Sequence, residues 1–410
     1  PSINALSTIV ILLITLALGV VNIVPIVREK REKDGKASRG MSRKAVAAVA
    51  AVLVLAIVGG TVGAGVAQNR KSAAAIEKYG SNVLKLYLPG EYLGENVISD
   101  FEKQYGVRVI VENFDSNEMM YTKLMAGDRY DVVIPSDYMI ARMEAEDMLL
   151  PLNYDNIPNY QYISEDFRGL YYDPDDTYTV PYTYGIVGVI YNANVVDEAD
   201  TGSWDLMWNP KYAGNILQFN NARDALGTAM YRAGIDVNTT DHADWQQALQ
   251  ALVDQRPLVK SYVMDEIYNM MESGEAAVAA YYAGDYFTMC DAQADSVDLQ
   301  FYYPENTNYF IDAMCIPTSC RDQELAECFI NFMLSREAAA ANAEYIYYAS
   351  PNRLVYDDPE YIDDMGEDTM AILYPDIGSF RDAYNRSAYR NLDQDTLTYV
   401  NSLWETLKIN

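Results

Sequence analysis

The chain has 410 residues, a length that is enough for two or three folding units with substantial cores. Its formal net charge is −29. Its first 71 residues hold 10 of the Lys and Arg residues and only three acids, so the remainder carries 20 basic and 56 acidic residues. An acidic surface of this kind repels the phosphates of nucleic acids, and we expect no DNA or RNA partner.

Two apolar segments at the start of the chain predict membrane helices. The first covers residues 1–27 and is almost continuously apolar from Ile3 to Val27, and the second covers 45–67. Each is about the 20 residues that span a bilayer. The loop between them, 28–44, has eight Lys or Arg against three acids, which predicts a cytoplasmic loop. Everything after Gln68 is therefore expected on the periplasmic or outer side of the cell membrane.

The second apolar segment has an alternative interpretation as a signal peptide. Met41-Ser-Arg-Lys fits a basic leader, and Gly65-Val66-Ala67 fits a small-residue cleavage site. No cysteine follows, so a lipoprotein anchor is not expected. The length of the run favours an uncleaved anchor, and cleavage stays open.

From residue 82 onward, strands and helices alternate. The segments VLKLYLP, VRVIVENF and YDVVIPS read as strands, separated by the helices GENVISDFEKQYG, closed by Gly106, and SNEMMYTKLMAGD, begun by Ser116. Short connections of this type predict a parallel sheet. Ligands of such sheets bind beyond the carboxyl ends of the strands, which here are residues 89–92, 113–116 and 135–138.

The rest of the chain predicts a second α/β half. TVPYTYGIVGVIYN reads as a pair of strands, GNILQFNNARDALGTAMYRAG as a strand followed by a helix, and 243–257 and 265–273 as helices. AAVAAYYAG, LQFYYP and IDAMCIPT read as strands, and QELAECFINFMLSREAAAANAEYI as one helix. We expect one lobe from 82–185 with 312–410, a second from 186–311, and a ligand cleft between them.

The residues with metal-binding or catalytic potential are sparse. His242 is the only histidine, which disfavours a Ser-His-Asp site and a histidine metal site. The four cysteines fit no zinc template; Cys315 and Cys320 either pair or are free thiols. There is no P-loop or GxGxxG motif. We therefore expect no metal, no cofactor and no catalytic residues.

Tyrosine is the informative residue type. The chain has 35 tyrosines against 10 Phe and 4 Trp, and several adjoin acids at predicted strand ends: Glu91-Tyr92, Asp137-Tyr138 and Asp285-Tyr286. Aromatic faces attract ammonium groups, and carboxylates add charge-assisted hydrogen bonds. Several such pairs around one cleft predict a site for an organic cation.

From residue 82 to its end the chain resembles the spermidine/putrescine-binding proteins of ABC importers. The resemblance rests on GEYLGENVISDFEKQYGVRV, DSNEMMYTKL, YDVVIPSDYM, VPYTYGIVGVIYN, SWDLMWNPKYAGNI, NNARDALGTAM, VMDEI, FIDAMCIP and EYIYYASPN, in the order and spacing of the family. The first apolar segment, beginning PSINALST, is similar to the last transmembrane segment of a matching permease. The chain thus resembles a permease–binding-protein fusion.

The resemblance implies an α/β, two-lobed clamshell of the type II periplasmic-binding-protein class, preceded by two transmembrane helices. It implies capture of a polyamine and delivery to a membrane permease with a cytoplasmic ATPase. The residues carried over as ligand contacts are Glu91, Tyr92, Ser136, Tyr138, Asn221, Asp224, Tyr282, Phe310, Asp312 and Tyr348. Asp312 matches the central carboxylate, and Asp224 matches another amine-binding acid.

Four positions depart from the family pattern. Pro89 stands where Trp is frequent, Asn221 replaces an Asp, and Tyr282 and Phe310 stand where Trp is common. These departures leave the preferred polyamine open. Two alternatives stay open as well. One is a receptor for another small organic cation, such as a betaine-like quaternary amine. The other is a membrane-tethered ectoenzyme. Two carboxylates with strongly raised pKa values in a wet cleft would favour this alternative.

Overall fold

The computed structural model describes residues 65–375 and 379–409. The predicted segments 1–27 and 28–44, and all but the end of 45–67, lie outside the described residues. None of the helices in those two described ranges combines the length and apolar character that a membrane span needs. The chain divides into two compact units, Pro1–Glu77 and Lys78–Asn410. The described end of the first unit is helical, in a helix over 65–79 that we call α1.

Within the second unit, a first sheet opens with three parallel strands. β1 (Val83–Pro89) pairs with β2 (Arg108–Phe114) on one side and with the short β3 (Val132–Val133) on the other. The crossovers are α2 (Val97–Tyr105) and α3 (Asn117–Met125), and α4 (Asp137–Ala145) follows β3. Gly106 closes α2 in the left-handed conformation at φ 72°, and the Ser116 hydroxyl accepts from the Met119 N–H at the start of α3. The predicted parallel sheet is confirmed, whereas α4 was not predicted.

The long strand β4 (Thr179–Asn192) joins this sheet to a second one. Its first part runs antiparallel to β9 (Tyr309–Cys315), and its last part runs antiparallel to β7 (Val278–Tyr282) and β8 (Leu299–Tyr302). The prediction of two strands here was wrong. The ladder with β9 shifts register between Pro181 and Thr183, and this irregularity accommodates a proline, which has no N–H to donate, within one continuous strand.

The second sheet continues from β7 to β5 (Ile216–Phe219) and then β6 (Val259–Val263), both in parallel pairing. Its helices are α5 (Ala222–Ala233), α6 (His242–Gln255), α7 (Ile267–Glu272) and α8 (Ala283–Ala292). The strand order over both sheets is β2-β1-β3-β9-β4-β7-β5-β6. The molecule is therefore two α/β halves joined through β4 and through the segment that leads from β8 into β9.

The remaining helices lie near the carboxyl end. They are α9 (Gln323–Met333), α10 (Arg336–Ile346), α11 (Arg353–Tyr356), α12 (Pro359–Met365), α13 (Glu367–Leu373), α14 (Phe380–Ser387) and α15 (Gln394–Ile409). The prediction of one helix over α9 and α10 was wrong. Ser335 interrupts it, because its extended backbone and side-chain oxygen cap α10 through the Ala338 N–H.

The last helix contacts the second half of the molecule. The ring of Tyr399 stacks on that of His242 at 3.9 Å between centroids, and the Lys408 ammonium donates to Asn220 Oδ1 at 2.5 Å. The boundary that assigns 312–410 wholly to the first lobe stays a prediction. All four cysteines are free thiols, so Cys315 and Cys320 are not paired.

Candidate functional site

A cavity of about 130 Å³ lies where the two halves face each other, beyond the carboxyl ends of β1, β3, β5 and β7. Seven carboxylates line it: Asp115, Glu118, Asp137, Asp224, Asp265, Asp285 and Asp312. Nine aromatic residues line it as well: Tyr92, Phe114, Tyr138, Tyr268, Tyr281, Tyr282, Phe310, Tyr348 and Tyr389. Within the described part of the chain its lining includes no Lys, Arg or His. Concave walls of one charge sign focus a strong field, so this cavity favours a cation.

Asp312 is the carboxylate that β9 presents to the cavity. It is buried and pairs across the ladder with Thr183 of β4. Its Oδ2 accepts from the Tyr92 hydroxyl, which lies 2.7 Å from Thr183 Oγ1. Its Oδ1 is buried without a hydrogen-bond partner among the described residues. Burial raises the pKa of Asp312 to about 6, against the lowering effects of the Tyr92 and Ser136 hydroxyls.

Asp224 lies in the first turn of α5 and is held by two neighbours. The Asn221 amide donates to its Oδ2 at 2.7 Å, and the Tyr282 hydroxyl donates to the same oxygen at 2.8 Å. Asn221 also caps α5, because its side-chain oxygen accepts from the Asp224 N–H at 2.8 Å. Burial raises the pKa of Asp224. Asn221 thus orients Asp224, the acid in the first turn of α5.

Asp285 is held between two tyrosines that lie far apart in the sequence. Tyr268 donates to its Oδ1 at 2.5 Å, and Tyr348 donates to its Oδ2 at 2.8 Å. Burial raises the pKa of Asp285 to about 6. Gly284 makes this contact possible, since a Cβ there would lie 2.4 Å from Tyr348 Cδ2. The sequence predicts the pair Asp285-Tyr286 as part of a cation site, but of these two residues only Asp285 lines the cavity.

Two predicted residues at the end of β3 line the cavity beside α3. The Ser136 hydroxyl accepts from the Asn117 amide at 3.0 Å. The Tyr138 hydroxyl donates to Glu118 Oε1 at 3.0 Å, and burial raises the pKa of Glu118. Glu118 was not predicted as a site residue. A carboxylate in the first turn of a helix after a strand end is a signal that could have found it.

Asp137 lies between Ser136 and Tyr138; the sequence indicated it as the acid of a tyrosine–acid pair, but it is not among the ligand contacts carried over from the resemblance. It is buried; its Oδ2 accepts from the Tyr384 hydroxyl at 2.7 Å and from the Ile311 N–H at 3.2 Å. Burial raises its pKa to about 7. Its hydrogen bonds tie α4, β9 and α14 together next to Asp312.

The aromatic residues form the side walls of the cavity. The rings of Tyr282 and Phe310 meet edge-to-face at 5.3 Å between centroids, and those of Tyr92 and Tyr348 do so at 5.6 Å. These four predicted residues all line the cavity. Their faces can pack against methylene groups and attract an ammonium group by cation–π contact.

Glu91 is the one predicted site residue that does not line the cavity. Its backbone takes a left-handed conformation at φ 48°, and its side chain is exposed. Its charge acts at the cavity mouth: after burial, the charges of Asp115, Glu266 and Glu91 raise the pKa of Asp265. The other nine predicted residues line the cavity.

Several cavity carboxylates have raised pKa values, the condition set above for an ectoenzyme. The largest cause is burial in each case, and each of Asp137, Asp285 and Asp312 accepts from a tyrosine hydroxyl. A site built to bind a cation has the same signature, because acids that face one another without a cation favour the neutral form. Within the described ranges, no group of three or more His, Cys, Asp or Glu is placed to hold a metal ion.

Comparison with known proteins identifies the family. The model for bacterial extracellular solute-binding proteins matches residues 96–366. The chain belongs to this family. It is 30% identical over 275 residues to the spermidine/putrescine-binding periplasmic protein of Escherichia coli (strain K12), a match that covers 66% of this chain and 78% of that protein. This is a family of transport proteins rather than enzymes.

Solved structures of related proteins have the same fold. A protein from Listeria monocytogenes, provisionally identified as a spermidine/putrescine ABC transporter, superposes with a TM-score of 0.73 at 35% identity over 80% of this chain and 99% of that one. The spermidine/putrescine ABC transporter substrate-binding protein PotD from Streptococcus pneumoniae gives 0.66 at 32% identity over 80% and 99%. The predicted two-lobed α/β fold of the periplasmic-binding class is confirmed, and the family places the binding domain outside the cytoplasm.

Proposed function

We propose that this chain captures a polyamine, putrescine or spermidine, outside the cytoplasm and delivers it to an ABC permease powered by a cytoplasmic ATPase. The observation that carries the proposal is the cavity lining: seven carboxylates, nine aromatic residues and, in the described part of the chain, no basic side chain. The names of the relatives support the same ligand class. Tethering by 45–67 and fusion behind a permease helix at 1–27 belong to this proposal.

Different acids of the cavity bind different ammonium groups of one polyamine. One ammonium group pairs with Asp312 through its unpartnered Oδ1. The other ammonium groups, one in putrescine and two in spermidine, pair with Asp285 and Asp224, each already held by tyrosine hydroxyls. The methylene chain between them packs on the rings of Tyr282 and Phe310, where apolar contact replaces water.

Binding requires the two halves to separate and close. Asp312 is buried and Asp224 and Asp285 are half-buried within the cavity, and Tyr348 of the first half donates to Asp285 of the second. Entry of a ligand breaks this contact, and closure restores it around the ligand. The strand β4, which pairs in both sheets, and the segment from β8 into β9 connect the halves and are the natural hinge for this motion.

The same lining disfavours a betaine-like ligand. A quaternary amine fits an aromatic wall, but the carboxylate of betaine finds no basic partner among the lining residues. A buried carboxylate without such a partner is costly. Amino acids meet the same obstacle.

A calorimetric panel on the purified chain tests the proposal, with putrescine, spermidine, betaine and lysine as ligands. We expect saturable binding of putrescine or spermidine, and none of betaine or lysine. An assay for hydrolysis of the bound amine should detect no product. Tight binding of betaine or lysine with no binding of either polyamine would overturn the proposal.

A further inference from the structure

Arg223 is a buried guanidinium close to the cavity but outside its lining. It follows the capping residue of α5 by two positions and is 5% exposed. Its Nη2 donates to Asn238 Oδ1 at 3.3 Å and to the Arg390 carbonyl at 3.5 Å. Its Nε and Nη1 have no hydrogen-bond partner among the described residues. A buried charge held only by an amide and a carbonyl needs compensation from elsewhere.

Part of that compensation comes from aromatic rings. The guanidinium carbon lies 4.5 Å from the ring centroid of Tyr389, 5.7 Å from that of Trp245 and 5.8 Å from that of Tyr138. Tyr138 and Tyr389 line the cavity, so the positive charge stands one layer of rings behind the ligand site. Cation–π attraction stabilises a guanidinium in such a position.

The rest of the compensation for the buried charge of Arg223 comes from two acids beyond the rings, Glu118 and Asp224. The positive charge of Arg223 lowers the pKa values of Glu118 and Asp224, in opposition to burial, which raises both. The two acids also act on each other, since the charge of Asp224 raises the pKa of Glu118. Without a fixed cation, two such carboxylates in a low-dielectric site tend to share a proton.

We propose that Arg223 is a positioning residue that sets the charge of this end of the cavity: it balances one of the two negative charges of Glu118 and Asp224 from behind the rings, so that this end takes up a single ammonium group. The inference rests on the proposed function. Arginine suits the role because it stays charged at every accessible pH and stacks on aromatic faces.

Arg223 acts on two acids whose pKa values burial raises, Glu118 and Asp224, and Asp137 of α4, whose pKa burial raises to about 7, acts on the neighbouring Tyr231. The other titratable or charged groups facing this end are Tyr138 of α4, Tyr231 of α5, Tyr282 of β7, and Tyr389 and Arg390 of the segment after α14. Burial raises the pKa values of all four tyrosines, which therefore stay neutral. The Arg390 guanidinium lies over the ring of Tyr171.

The substitution Arg223→Gln tests the inference through proton release. Putrescine binding is measured by calorimetry at about pH 7 in two buffers of different ionisation enthalpy, which counts the protons released. We expect about one proton more than for the unaltered chain, and binding about tenfold weaker at pH 7 that recovers by about pH 8.5. Arg223→Lys keeps the charge and should restore the original proton count. Equal weakening at both pH values with an unchanged proton count would mean a purely structural role and overturn the inference.

A second variant tests the effect of the Arg223 charge on Glu118 and Asp224 without removing the guanidinium. Asn238→Asp puts a carboxylate at the position that already accepts from Arg223 Nη2, so the new acid pairs with the charge that otherwise serves Glu118 and Asp224. Extra proton release is again expected, whereas the exposed substitution Asn194→Asp should leave the count unchanged. If the unaltered chain fails to bind putrescine, the proposed function falls. If it binds, and neither Arg223→Gln nor Asn238→Asp changes the proton count, only this inference falls.

Discussion

Tyr92 donates its hydroxyl proton to one oxygen of Asp312, while the other oxygen of that carboxylate is buried with no hydrogen-bond partner among the described residues. A half-satisfied buried carboxylate is costly, and burial accordingly raises its pKa to about 6. An ammonium group supplies both the missing donor and the missing charge. This pair is therefore the centre of the proposed site.

We predict that Asp312→Asn abolishes putrescine binding while the chain stays folded. The substitution keeps the size of the side chain and the contact with Tyr92 but removes the charge that pairs with the ammonium group. Loss of one partner from a buried ion pair costs about 3–5 kcal/mol, so calorimetry should detect no saturation at concentrations that saturate the unaltered chain.

The matched control for that variant is Glu91→Gln, which also converts an acid into its amide. Glu91 is exposed at the cavity mouth and does not line the cavity. Its affinity for putrescine should stay within about twofold, because exposed charges contribute little. Wild-type affinity in Asp312→Asn would show that this carboxylate does not bind the ligand.

The stability of the ligand-free chain should rise as the pH falls from about 8 to about 5. Burial raises the pKa of Asp137 to about 7 and those of Asp285 and Asp312 to about 6, against about 3.9 for an unfolded aspartate. The folded state therefore binds more protons in this range. The stabilisation from these groups is complete below about pH 4 and is lost as the pH rises through 6 to 7.

Putrescine should reverse this trend, because a dication binds the ionised acids. Thermal unfolding with and without putrescine should show a larger ligand-induced rise in Tm at pH 8 than at pH 5. Asp312→Asn should flatten the pH profile of the ligand-free chain. A ligand-free chain whose Tm falls steadily from pH 8 to pH 5 would contradict the raised pKa values.

Tyr348→Phe should weaken binding without removing the aromatic wall. The hydroxyl donates to Asp285 at 2.8 Å, and hydrogen bonds to charged groups contribute about 1.5–3 kcal/mol. The neighbouring Tyr347→Phe removes a hydroxyl that donates to the exposed Asp291 at 2.9 Å and serves as the control. Equal affinities for the two variants would remove Tyr348 from the site.

Gly284→Ala should damage the cavity by displacing Tyr348. The added Cβ would lie 2.4 Å from Tyr348 Cδ2 and 2.8 Å from the Tyr347 carbonyl oxygen, and backbone atoms yield little to such a contact. We expect putrescine affinity to fall by about tenfold or more, since a distortion costs about 1–3 kcal/mol. Unchanged affinity, measured by calorimetry, would show that the two halves do not need this close approach to bind.

The sequence predicts local structure well where backbone chemistry decides it. The extent of β1, the left-handed Gly106 that ends α2 and the Ser116 cap of α3 all follow from residue type and spacing. The continuity of β4 does not follow from residue type and spacing, because Pro181 is accommodated in this strand through a register shift against β9. The break at Ser335 was hidden by helix-favouring residues on both sides.

Site residues near strand ends are predictable, whereas those that depend on long-range packing are not. Tyr92, Ser136 and Tyr138 line the cavity because strand ends meet at one edge of a sheet. Tyr389 reaches the cavity from a segment near the carboxyl end, which no local pattern indicates. The prediction that Glu91 lines the cavity was wrong. Its backbone is left-handed at φ 48° and its side chain is exposed.

The most direct test of the account is a crystal structure of the chain grown with putrescine. We predict ligand density in the cavity between the two halves, with one ligand nitrogen within hydrogen-bond distance of Asp312 Oδ1 and the methylene chain against Tyr282 and Phe310. Density for putrescine elsewhere, with Asp312 Oδ1 still unpartnered, would contradict it.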